Sequence, residues 1–71
     1  MTKEERMAKA KKYDREMTRI LCKLIDIQKG MVNDGLMKEE VEDDNYMLYV
    51  QGTNRLDTLT INMWKMSRGE M

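Results

Sequence analysis

The sequence predicts an all-α fold, an antiparallel two-helix hairpin built as a single domain over residues 1–71, and three observations predict it. Proline is absent and only four glycines occur among 71 residues, so a long helix meets few breakers. Apolar residues recur at alternating spacings of three and four in two long segments. The first cluster of turn-forming residues, Gly30 and Asn33-Asp34-Gly35, followed by an acidic run, lies between them.

The first helix starts after Thr2, a suitable N-cap because its hydroxyl can accept from a free N–H of the first turn, with Glu4 and Glu5 favourably placed beside the helix dipole. No breaker interrupts the chain before Lys29. Along it Ala10, Tyr13, Met17, Ile20, Leu24, Ile27 and Met31 form an apolar seam, widened by Leu21 and Ile25 into a face suited to packing on another helix. Lys12, Arg15, Glu16, Arg19, Lys23 and Asp26 occupy the opposite side.

Gly35 is the position expected to take positive φ where the first helix ends. A short helical turn is expected over residues 36–41, with Asp43, Asp44 or Asn45 capping the second helix. On that helix Leu48, Gly52, Leu56, Leu59, Met63 and Met66 share one face, expected to pack on the first helix, with Gly52 admitting a close backbone. Tyr46, Val50, Thr53, Asp57, Thr60 and Trp64 form a second line roughly 120° away, with Asn54 and Ile61 beside it. A hairpin needs only one face to fold. The second line, rich in aromatic and apolar residues, is therefore expected to meet a partner through Tyr46, Val50, Thr60, Ile61 and Trp64.

Composition limits the classes of function. A chain this short buries only about 60% of its unfolded surface, so a disulfide, a metal or a partner normally supports it. One cysteine, Cys22, cannot form an internal disulfide, and without histidine the common zinc spacings cannot be assembled. Homodimerisation stays open on those grounds. The 13 basic and 13 acidic residues cancel, which argues against nucleic acid as a partner. Their distribution is uneven: residues 1–12 hold five basic residues against two acidic, and residues 34–44 hold six acidic against one lysine. No apolar run nears the roughly 18 residues that span a bilayer, and the charged start has no signal-peptide core, so no membrane association and a cytoplasmic location are expected.

The run Thr53-Asn54-Arg55-Leu56-Asp57, followed by Leu59, Ile61 and Met63, resembles the Ser-Gln-Glu-Leu-Asp signature and apolar helical tail of a known family. This is the stage-zero sporulation regulatory protein E family of aspartyl-phosphate phosphatases. Ile25-Asp26, Lys29, Val32 and Gly35-Leu36 look like the features around the end of that family's first helix, so the likeness covers about residues 20–66. Leu56 and Asp57 match identically, Arg55 reverses the sign of the family's glutamate, and the stretch between Gly35-Leu36 and the motif is longer.

The resemblance implies a helical hairpin that removes phosphate from the phospho-aspartate of a response regulator's receiver domain, as a negative regulator of a sporulation-type phosphorelay. It implies a phosphorylated response regulator as partner and no cofactor of the hairpin's own, with magnesium expected on the receiver domain. It also places Asn54 where the family has its glutamine, Asp57 as the matching acid and Thr53 one turn before it; these three are the candidate catalytic residues, and no metal ligand is assigned. The alternative is a dimeric hairpin that only binds. It would be either an RNA binder using Lys9, Lys11, Lys12, Arg15 and Arg19, or an inhibitor using the outward face of the second helix.

Overall fold

The computed structural model describes residues 1–71 as two helices, α1 (Lys3–Asn33) and α2 (Asp44–Ser67), joined by an irregular connection and containing no strand. The molecule measures 49 × 18 × 14 Å. At about 1.5 Å per residue, α1 alone accounts for its length. The end of α2 returns to the start of α1: a Cβ on Gly69 would stand 3.7 Å from side-chain atoms of Lys3 and Met7. The packing is therefore antiparallel, the expected all-α hairpin.

Its ends follow from local chemistry. Thr2 caps α1 by accepting from the Glu5 N–H at 3.1 Å. At the other end the Leu36 N–H donates to the Met31 carbonyl at 2.9 Å and the Gly35 N–H to the Val32 carbonyl at 3.1 Å. This paired closure needs a left-handed residue, and Gly35 supplies it at φ 77°. Gly30, the earlier candidate break, lies inside the helix with open space where a Cβ would go. Gly35→Ala is expected to destabilise the fold by about 1 kcal/mol through left-handed strain, whereas Gly30→Ala should stabilise it by up to about 1 kcal/mol. Urea titrations of the two variants check the opposite signs.

The connection contains no helical turn over residues 36–41; it is made of bends and turns closed by the Asp43 N–H on the Glu40 carbonyl at 3.0 Å. Six acidic residues in and beside this short stretch repel one another and disfavour compact helix, and the backbone is tied instead by Asp43. One Asp43 carboxylate oxygen accepts from the Tyr46 N–H and the other from the Lys38 N–H, both at 3.0 Å. These backbone donors, led by Lys38 and then Tyr46, hold the Asp43 carboxyl below the usual aspartate range. A lowered folded-state value means that the clasp contributes fully above the ordinary aspartate value of about 3.9 and is lost as pH falls through the lower folded value. The thermal-midpoint advantage of the native chain over Asp43→Asn is therefore expected to shrink below about pH 4. Melting curves of both proteins between about pH 6 and about pH 2 check it.

The interface between the helices differs from the pattern of apolarity. On α1 the residues turned inward are Met7, Ala10, Asp14, Met17, Leu21, Leu24, Gln28 and Met31. They share Ala10, Met17, Leu24 and Met31 with the expected seam. Leu21, expected beside that seam, also turns inward; Asp14 and Gln28 join it, whereas Tyr13, Ile20, Ile27 and the expected flanking residue Ile25 are exposed. On α2 the inward line is Tyr46, Tyr49, Thr53, Leu56, Thr60, Met63 and Ser67, while Leu48, Gly52 and Leu59 of the expected folding face point to solvent. Gly52 has nothing within 4 Å of a built Cβ, so it admits no close neighbour within the hairpin.

Hydroxyl chemistry permits the shift. Thr53, Thr60 and Ser67 recur every seventh residue on the inward line. Each donates to its own helix backbone: Thr53 to the Tyr49 carbonyl at 2.9 Å, Thr60 to that of Leu56 at 2.7 Å, and Ser67 to that of Trp64 at 2.6 Å. A hydroxyl satisfied in this way packs like a small apolar group. The buried amide of Gln28 is likewise satisfied, donating to Glu39 at 3.0 Å, and no buried side-chain polar atom lacks a partner. No hydrogen bond or ion pair joins α1 directly to α2; the only ion pair is Arg68–Glu70. Met37 of the connection is the most buried residue, at 4% exposure, and with Ala10 it is one of two buried apolar residues.

Candidate functional site

One flank of the hairpin carries an open cleft of about 260 Å³ between the helices. Leu21 and Ile25 of α1 form one wall, and Tyr49, Thr53, Asn54 and Asp57 of α2 form the other. Helix geometry dictates this grouping: Tyr49, Thr53 and Asp57 are each four residues apart, and Asn54 lies one position round from Thr53 on the solvent side. The three candidate catalytic residues thus share one concavity with an apolar opposite wall.

Their hydrogen bonding distinguishes them. The Thr53 hydroxyl donates to the Tyr49 carbonyl at 2.9 Å and approaches that of Val50 at 3.1 Å, so it is turned to its own backbone and not to Asp57. It retains lone pairs for accepting a bond, but its proton is committed. The Asn54 carboxamide and the Asp57 carboxylate are exposed and engage no other protein group. Side by side at the rim, they offer two donors and three acceptor oxygens to a molecule in the cleft. Arg55 is exposed, faces away from the cleft and pairs with no acid of α1.

The residues expected to bind a partner are divided by the fold. Thr60 is only 7% exposed and its hydroxyl is spent on the Leu56 carbonyl, so it lies in the helix interface and offers nothing to an outside surface. Tyr46 and Val50 are half-buried, and the Tyr46 ring sits tilted 6.4 Å from that of Tyr49. Ile61 and Trp64 are exposed on the cleft's flank, one to two turns beyond Asp57. The Arg68 guanidinium lies over the Trp64 ring, 4.7 Å from its centroid, a cation–π contact that leaves the indole 44% exposed.

Leu21, Ile25 and Tyr49 are the cleft residues that the motif does not contain. Tyr49 could have been found from its four-residue spacing to Thr53, once threonine is allowed on an inward line. No three His, Cys, Asp or Glu side chains stand close enough together to hold a metal ion. No helix is long and apolar enough to cross a membrane. Compared with known proteins, the chain matches no family model, no curated protein and no solved structure.

Proposed function

We propose that the protein is an auxiliary phosphatase that hydrolyses the phospho-aspartate of a response-regulator receiver domain, in the manner of the sporulation phosphatases that its second helix resembles. The observation that carries this reading is the convergence of Thr53, Asn54 and Asp57 on one cleft, with the Asn54 carboxamide and Asp57 carboxylate free of protein partners.

Hydrolysis of an acyl phosphate is chemically undemanding once a water is held in line with the leaving carboxylate. The water oxygen bonds to phosphorus, the phosphorus–carboxylate bond breaks, and inorganic phosphate and a free aspartate result. The transition state is loose, so positioning and charge neutralisation supply most of the rate. Magnesium expected on the receiver domain would neutralise the phosphoryl oxygens. The hairpin's part is to hold the water, with Asn54 both donating to and accepting from it and Asp57 orienting it or the carboxamide. Ile61 and Trp64 continue the same flank and give it an apolar anchor for docking.

The test follows inorganic phosphate from phosphorylated receiver domains mixed with the hairpin. Accelerated release, first order in the phosphorylated regulator and catalytic in the hairpin, is the expected result. A tight stoichiometric complex in which the phospho-aspartate survives would instead make the protein an inhibitor. Absence of both binding and release across receivers from the source organism would remove the reading.

A further inference from the structure

The flank of the hairpin opposite the cleft is apolar on both helices. On α1 it carries Tyr13, Ile20 and Ile27, one every seven residues and exposed by 50%, 54% and 46%. They lie about 80° round the helix from the packed seam, on the side away from the cleft residue Ile25. On α2 the same flank presents Gly52 and Leu59. Isolated exposed apolar residues need no explanation, but a stripe on both helices of one flank does.

We propose that this flank is the interface of a homodimer, in which two hairpins pack α1 against α1 about a two-fold axis at Ile20 to make a four-helix bundle. Three observations select a second copy as the occupant. The first is symmetry: Tyr13 and Ile27 are each seven residues from Ile20, so an antiparallel two-fold sets Ile20 against Ile20 and Tyr13 against Ile27 of the other copy. The second is charge. Glu16 and Lys23 border the stripe on its outer edge, and the same operation brings Glu16 of each copy beside Lys23 of the other, twice over.

The third is area. The chain exposes 5609 Å², whereas a compact monomer of its 8.5 kDa mass would expose roughly 4,650 Å². The surplus follows from the 49 × 18 × 14 Å rod shape, and a second rod laid lengthwise against the first is the arrangement that makes the assembly compact. A core with only two buried apolar residues has much to gain from further burial. The clefts, on the opposite flanks, stay open in such a dimer.

Sedimentation equilibrium of the intact chain tests this, with a mass of twice 8.5 kDa expected. Ile20→Glu sets two like charges at the axis and is expected to give monomer, while Ile61→Glu, on the cleft flank, should remain dimeric. Because Ile20→Glu could also unfold the chain, Ile20→Cys in a Cys22→Ser background provides a second readout. Mild oxidation should link it into a covalent dimer on a non-reducing gel. A folded native chain that is monomeric at every concentration, a dimer that survives Ile20→Glu, a dimer broken by Ile61→Glu, or absence of the Ile20→Cys cross-link would each overturn the proposal.

Discussion

Asn54→Ala is expected to slow phosphate release from a cognate phosphorylated receiver by about 10²-fold, the usual penalty when a reacting group loses its positioning. Asp57→Ala should act in the same direction. Both side chains are exposed and make no hydrogen bond or ion pair within the protein, so both variants should keep the helical circular dichroism, and alanine's higher helix propensity should leave the melting temperature unchanged or slightly raised. If the two residues hold the same water, the double variant will be scarcely slower than the worse single variant, because a shared role is lost only once. Asn54→Gln, which lengthens the side chain but keeps the carboxamide and restores the residue type of the resembled motif, should retain more activity than Asn54→Ala. Full activity in both alanine variants would separate the cleft from the reaction.

The largest loss of stability is expected from Met37→Ala. Truncating a buried methionine removes its transfer free energy and leaves a cavity, together about 2–5 kcal/mol. A hairpin of this size has only about 3–5 kcal/mol in total, so the variant should be mostly unfolded at room temperature. Met37→Leu nearly conserves volume and should cost less than about 1.5 kcal/mol. Urea unfolding followed by circular dichroism reads both. The contrast matters because Met37 belongs to neither helix, yet it is more buried than any helical residue.

The hairpin and its ends were legible in the sequence because they depend on local chemistry. Thr2, Gly35 and Asp43 act through their own backbone neighbours, and each takes the role that its residue type and position suggest. The faces were less legible. Polarity assigns Tyr13, Ile20 and Ile27 to the helix interface and Thr60 to the outside, whereas the fold does the reverse. What polarity misses is that a hydroxyl whose proton is bonded to its own helix can be buried without an outside partner, as at Thr53, Thr60 and Ser67. The grouping of Thr53, Asn54 and Asp57 could be seen from spacing alone. The wall opposite them, Leu21 and Ile25, could not, since it depends on how α2 is rotated over α1.

The lack of any hydrogen bond or ion pair between the helices has a mechanical side. The hairpin is fastened at its connected end, where Gln28 holds Glu39 and Asp43 holds both Lys38 and Tyr46. Toward Lys3 and Gly69 only side-chain packing keeps α1 and α2 together. A rod pair tied at one end behaves as tongs, with stiffness falling from the tie to the tips. Asn54 and Asp57 sit part-way along the untied arm, so the gap across the cleft is set by side-chain packing and by no directional bond.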